Sequence, residues 1–359
     1  MNAEVPLKRR TVLQMFAVAG AAGLLGWPLL RGQPTGMQAV RRSRVMLGTV
    51  VNLTVYGQDS KQAAAAVTAT LERMAALENR LSRFRADSEV GRLNRDGVLT
   101  GAGADLLAVL QLAGEVSRAS DGAFDPTMLP LLKASRRLGA EAGEIAPEAV
   151  AAASRSGSGF SPFTSAAGRE ILAAGRQLVD YRKLRLDGRR VSLAEPGMGI
   201  TLDGIGKGYI VDQGAATLQE HGFAQIYVEA GGDLLVHGGK PGGEPWRIGL
   251  QNPRPESRRP LTVLATERLA VATSGDYHQP FSTDYRHHHI IDPRTGFSSP
   301  ELAACTVTAP TAALADALAT AALVLGRERG GALLGRFPGC AGCFVGKDLS
   351  ISKTAGFPA

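Results

Sequence analysis

From residue 45 the chain reads VMLGTVVNLTVYG, an apolar, β-branched run that predicts a first strand, preceded by a basic linker, RGQPTGMQAVRRSR. Residues 61–82 then carry alanines, leucines and a methionine at three- and four-residue spacing among good helix formers, which predicts a helix. A second helix is predicted over residues 104–120. From Tyr181 onward the period shortens, and YRKLRLD, QIYVEA, DLLVHG, WRIGLQ, LTVLAT, LAVAT and YRHHHII predict short strands separated by turns. Two helices interrupt that run, one over KGYIVDQGAATLQE and one over TAALADALATAALVLG after Pro310. A Ser/Gly/Pro-rich stretch from Ser154 to Ser165 marks a surface loop or a joint between subdomains. Helices gathered early and strands gathered late predict an α+β fold with mixed or antiparallel sheets, not a doubly wound α/β fold.

Composition adds limits more than detail. At 44% hydrophobic and 20% charged, the 359 residues are those of a globular protein, and the 44 glycines imply many turns and close backbone approaches. Part of the net charge of +7 comes from Lys8, Arg9, Arg10 and Arg31, and no Lys/Arg stripe with interleaved aromatics occurs elsewhere, so no nucleic-acid partner is expected. The N-terminal stretch KRRTVLQMFAVAGAAGLLGWPLL sets an arginine pair before a mild Ala/Gly-rich segment. That pattern resembles a twin-arginine export signal and is too short and weakly apolar for a confident membrane span. It predicts a signal and linker over residues 1–36, one folded domain over residues 37–359 and a periplasmic location; an uncleaved N-terminal anchor is the alternative. Cys305, Cys340 and Cys343 make no disulfide framework, and the CAGC pair supplies only two ligands of a zinc site, so the thiols are read as structural or incidental.

The chemistry concentrates in three segments. TLDGIGKGY, residues 201–209, fails as a nucleotide-binding P-loop, because Thr201 stands where the first glycine belongs and Gly208 replaces the magnesium-touching Ser or Thr. Yet Gly204, Gly206 and Gly208 permit close backbone approach, Lys207 adds a positive charge, and the helix that follows begins with an N-terminus that favours anions. A turn that uses its glycines only for their dihedrals is the alternative. In ADALATAALVL, Asp316 and Thr320 are four apart and share a helix face that Leu314, Leu318 and Leu323 turn inward. A hard cation taking a carboxylate, a hydroxyl and backbone carbonyls would give that aspartate a partner; a solvent-facing Asp with a core-facing Thr is the alternative. In HHHIIDPRTG, a strong turn at Asp292–Gly296 follows His287, His288 and His289, which alternate faces if they lie on a strand. They are surface histidines, or one beside a phosphate is a proton carrier near neutral pH.

Taken together with MLGT, LSRFRADSEVGRLN, DGAFDPT, VEAGGDLLVHG and ATSGDYHQP, these segments resemble the ApbE-type family of FAD:protein FMN transferases over nearly the whole chain from Met46 onward. The resemblance implies an α+β, T-fold-like enzyme that holds FAD in a cleft with a magnesium ion at its pyrophosphate. It places metal ligands on the backbone carbonyl of Gly204, the side chains of Asp316 and Thr320 and the carbonyl of Ala319. Flavin nucleotide contacts fall on Met46, Phe84, Ala123, Phe124, Asp125, Lys207, Ser274, Gly275 and Ile291. Asp276, in the same SGDY turn, resembles a further cleft residue. Many members open the glycine motif with an aspartate where this chain has Thr201, with its acid at Asp203, so which of the two meets the adenosine part is open. The implied reaction moves FMN from FAD to a Ser or Thr hydroxyl of an acceptor flavoprotein and releases AMP, with His289 and Lys207 assisting and Asp292 orienting the turn. Two other readings share these residues: a magnesium-dependent FAD pyrophosphatase giving FMN and AMP, and a non-catalytic periplasmic FAD-binding protein. An export signal on such a family member points to an exported or membrane-bound redox acceptor, with nitrous oxide respiration as one candidate setting.

Overall fold

The computed structural model describes residues 36–144, 162–163, 165–254, 259–282 and 284–358. Apart from Gly36, the predicted signal segment lies outside the described residues, as does nearly all of the stretch from Ser154 to Ser165. The run predicted as a first strand is a hairpin: β1 (Gln38–Met46) pairs antiparallel with β2 (Thr49–Gly57). Leu47 and Gly48 close it with φ of 57° and 69°, the mirror-image turn whose twist matches paired strands. The second half of the predicted basic linker is therefore part of β1. Only Val40 and Met46 of that strand are buried, which is why its sequence lacks alternation.

The main sheet is wholly antiparallel. It runs β1, β2, β6 (Ile226–Ala230), β7 (Asp233–His237), β10 (Leu269–Gly275), β11 (Leu302–Ala309), β12 (Ala341–Gly346) and β13 (Ile351–Lys353). A small sheet of β3 (Val98–Thr100), β5 (Arg190–Leu193) and β4 (Leu184–Asp187) stands apart. On one face of the main sheet lie α1 (Ser60–Leu81), α6 (Gly206–Glu220) and α7 (Ala312–Leu334). They bury Met74, Leu77, Val211, Leu218 and Leu318 against Leu53, Val228 and Val307. The hairpin of β8 (Trp246–Leu250) and β9 (Thr262–Thr266) covers the other face, where Trp246, Ile248 and Leu264 meet Leu234, Val236 and Cys343. Cys305 and Cys343 are buried in adjacent sheet strands and all three thiols are free. The sequence left α2 (Glu89–Asp96), α4 (Leu129–Glu144), α5 (Ala166–Gln177), β11 and β12 unassigned, whereas α3 (Ala104–Ala119) lies where it is predicted.

Two features position the site. The helix α7 is buried along nearly its whole length, which explains an apolar pattern on all sides. Its first turn is tied to α6: besides the Thr311 cap, Asp212 accepts hydrogen bonds from the backbone N–H groups of Ala312 at 2.7 Å and Ala313 at 2.9 Å. The second feature corrects an expectation. Residues 285–291 do not form a strand; they belong to an irregular loop with isolated bridges at His288 to Pro280 and Ile291 to Ser298. That loop is held from beneath, because fully buried Asp276 accepts from Arg254 at 2.9 and 3.1 Å and from Lys347 at 2.6 Å. Lys347 also donates to the carbonyl of Tyr285.

Candidate functional site

A cavity of about 500 Å³ opens among the β1–β2 turn, α4, the start of α6, the end of β10 and the middle of α7. It gathers most of the residues singled out in the sequence: Phe84 at its rim, Ala123, Phe124 and Asp125, then Thr201, Asp203, Gly204 and Lys207, then Ser274 and Gly275, His289 and Ile291, and finally Asp316 and Thr320. Of the residues the resemblance assigns, four do not line it: Asp276, fully buried beneath the loop, and Met46, Ala319 and Asp292. Met46 is buried beneath the hairpin turn, and its successors Leu47, Gly48 and Thr49 form the wall instead. Ala319 is fully buried in the interior of α7. Asp292 is a turn former: its carboxylate accepts from the N–H of Arg294 and, at 2.8 and 2.7 Å, from the guanidinium of the same residue. A larger groove of about 810 Å³, between the end of α2, the start of α4 and β5, holds none of these residues.

The centre of the cavity is ionic. Lys207 Nζ lies 2.7 Å from Asp233 Oδ2 and 3.9 Å from Asp316 Oδ2, and both carboxylates are buried. Burial alone pulls an ammonium down, but Asp233 and Asp316 outweigh it and hold Lys207 protonated above its ordinary range. Asp316 moves the other way: burial and then Asp233 push its carboxyl up to about 8, because two carboxylates share one ammonium. Part of the glycine turn serves contacts within the protein itself. Gly208 N–H, at the opening of α6, donates to Asp316 Oδ2 at 3.2 Å, so the anion at that helix terminus is a side chain of α7. A methyl group at Gly208 would run into the carbonyl of Ala312, so this glycine serves the contact between the two helices. Of the three glycines only Gly204 lines the cavity.

A divalent ion suits this donor set. A Cβ built at Gly204 would lie 2.9 Å from Thr320 Oγ1, so the glycine turn packs directly beside that hydroxyl. Thr320 Oγ1 is also 3.1 Å from Ser274 Oγ. A hydroxyl and backbone oxygens beside a buried carboxylate that shares its ammonium with Asp233 form a hard donor set of the kind magnesium accepts. Among the described residues no cluster of three or more His, Cys, Asp or Glu forms a metal site, and this set, with one carboxylate and a hydroxyl, is not of that kind.

The histidines differ from the surface reading. His288 is fully buried; its Nδ1 accepts from the N–H of Ile290 and its Nε2 lies 3.2 Å from the carbonyl of Ser299. Burial and then Lys347 pull its pKa down to about 4, which makes it a neutral structural group. His289 lines the cavity, and burial followed by the neighbouring His278 pulls it down to about 3. In the free protein it is therefore a neutral acceptor and not a carrier that titrates near neutrality. Asp203 is held below the usual carboxylate range, against the pull of burial, by a bidentate pair with Arg83 at 2.9 and 2.8 Å. Asp125 accepts from Thr127 and from the N–H of Tyr181, and burial lifts it to about 6.

Sequence reasoning passed over Asp233, His278, Gln279 and Arg136. Asp233 was within reach, since VEAGGDLLVHG places it just after Gly231 and Gly232, both at positive φ, so the turn aims a strand-opening carboxylate inward. Arg136 carried no local signal, because the helix bearing it was not foreseen.

An antiparallel sheet under a helical layer, with carboxylate, hydroxyl, ammonium and neutral imidazole gathered in one cleft, has the composition of an enzyme active site. Residues 47–344 match the model of the ApbE family, and the chain belongs to that family. It is 31% identical to the FAD:protein FMN transferase of Treponema pallidum, over 88% of this chain and 86% of that protein. The FAD:protein FMN transferase of Vibrio cholerae is 30% identical over 84% of this chain and 86% of its own length. Among solved structures, the flavin transferase ApbE of Vibrio cholerae superposes with a TM-score of 0.71 at 28% identity, covering 89% of this chain and 98% of that one. The ApbE protein of Thermotoga maritima gives 0.74 at 28% identity, covering 89% and 97%.

Proposed function

We propose that this chain moves FMN from FAD to a serine or threonine hydroxyl of an acceptor protein, releasing AMP. The observation that carries the reading is the convergence of Asp316, Thr320, Gly204, Lys207 and His289, drawn from three distant segments, on a single cavity. The names of the relatives support it. Asp316, Thr320 and the backbone of Gly204 would hold magnesium, which when bound neutralises charge on the pyrophosphate.

The rest falls to the chain's own groups. Lys207, fixed by Asp233, presents a permanent cation to phosphoryl oxygens, and its low-dielectric setting strengthens that contact. His289 is unprotonated at neutral pH and so is free to accept the proton of the acceptor hydroxyl. The arriving pyrophosphate is anionic and raises the imidazole's affinity for that proton. The hydroxyl oxygen forms a bond to the phosphorus on the riboflavin side, the P–O–P bond breaks, and AMP departs with the bonding electrons. Phe84, 74% exposed at the rim with the Arg83 guanidinium 4.0 Å above its ring, offers a flat surface to an aromatic ring of the ligand.

The test is the intact mass of an acceptor incubated with the purified protein, FAD and magnesium. A gain of one FMN is expected. Free FMN and AMP with no gain in mass would establish the pyrophosphatase reading in its place, and FAD recovered intact would leave only a carrier. The acceptor is an exported or membrane-bound redox protein on this reading, and the chain itself reaches the periplasm through the segment bearing Arg9 and Arg10. Replacing both arginines with lysine should retain the protein in the cytoplasm; undiminished periplasmic protein on fractionation would rule that route out.

A further inference from the structure

We infer that Arg136 is a phosphate-contacting residue of this cavity, donating to non-bridging oxygens of the pyrophosphate alongside Lys207. The inference rests on the flavin transferase reading of the same site and adds a residue to it. Two permanent cations line the cavity, Lys207 and Arg136. Lys207 is already committed to two carboxylates. Arg136 is paired with no carboxylate among the described residues; its Nη2 donates to the neutral amide oxygen of Gln279 at 3.1 Å. The neighbouring Arg83, by contrast, is locked to Asp203. Of the two, Arg136 is the cation without a carboxylate partner, which leaves its full charge available, beside Lys207, to an anion that enters from outside.

Placement agrees. Leu132 and Arg136 are four apart on α4, Met128 immediately precedes the helix, and all three line the cavity, so the arginine follows apolar side chains inside it. Gln279, which holds the guanidinium through its side chain, accepts the N–H of His289 at its carbonyl, 3.2 Å away. The charge of Asp203 bears on Arg136, Lys207 and His289 alike, which sets all three around the glycine turn. Half burial, and then Arg83, pull the guanidinium below its ordinary range, as befits a cation short of counter-charge. A planar guanidinium also suits phosphate, since it donates two parallel hydrogen bonds to a pair of oxygens.

The experiment is a binding titration with FAD, ADP, adenosine and riboflavin in the presence of a chelator, using the full chain and its Arg136→Gln and Arg136→Lys variants. Arg136→Gln should weaken FAD and ADP by about 10- to 100-fold, the loss expected of a hydrogen bond to a charged group. Adenosine and riboflavin, which carry no phosphate, should bind as before, and Arg136→Lys should recover part of the affinity for FAD and ADP. Unchanged FAD and ADP affinity in Arg136→Gln would overturn the inference. So would a parallel loss for all four ligands, which marks a structural effect, or a rise in the acceptor's KM alone, which marks a contact with the acceptor. Arg136-dependent FAD binding in a protein that labels no acceptor would keep this inference and remove the transfer reading. Acceptor labelling with normal FAD affinity in Arg136→Gln would do the reverse.

Discussion

Asp316 and Thr320 were readable because a helix repeats its faces every three to four residues, and the apolar residues between them fixed which face turns inward. The pairing of Asp316 with Lys207 was not readable, since it depends on how two helices far apart in sequence meet. Asp316→Ala should cut magnesium-dependent turnover by at least about 100-fold while weakening FAD binding less, as measured by turnover across a magnesium titration. His288 supports a prediction about pH. Its folded pKa of about 4 lies below the ordinary histidine value of about 6.5, so the unfolded chain binds the extra proton first. The stability it contributes is complete above about pH 6.5 and is lost as pH falls through about 4. An NMR titration should show its ring unprotonated down to about pH 5, and a midpoint near 6.5 would contradict the burial that holds it neutral. The three adjacent histidines looked equivalent in the sequence. Burial separates them, and burial in an irregular loop leaves no periodic trace.

The contact of α6 with α7 is the element on which the site depends. Gly208→Ala should force the two helices apart, because the added methyl meets the backbone of Ala312 and Ala313 and not a flexible side chain. The cost should be about 1–3 kcal/mol in urea unfolding, with magnesium affinity falling as Asp316 leaves the turn. Asp212→Ala removes the acceptor for two N–H groups at the start of α7 and should cost about 1–2 kcal/mol by the same measurement. Both helices announced themselves through length and composition. The strands were uneven. β6 to β9 alternate or end in clear turns, but β1 is an edge strand of mostly exposed polar residues and β11 is buried at every position, so neither shows a period of two. The turn at Leu47 and Gly48 was hidden for a different reason: leucine gives no warning of a positive φ.

Across the whole molecule, the loop that carries His289 is anchored by residues from three separate segments. Arg254 and Lys347 reach Asp276 from the strand connection before β9 and from the turn after β12. Asp276→Ala should cost on the order of 3 kcal/mol, because it leaves two cations without their buried partner. Faster amide exchange through residues 277–291 should accompany that loss, and exchange confined to global unfolding would show that the loop has other anchors. The order of the main sheet has a consequence for synthesis. Its first pair of strands waits for β6, its middle is closed by β10, and the wall bearing Asp316 and Thr320 comes from α7. A nascent polypeptide still on the ribosome therefore has no nucleotide pocket until roughly nine-tenths of its codons have been read. Ribosome-stalled fragments ending before Ala312 should retain no flavin on a sizing column, whereas the released full-length product should.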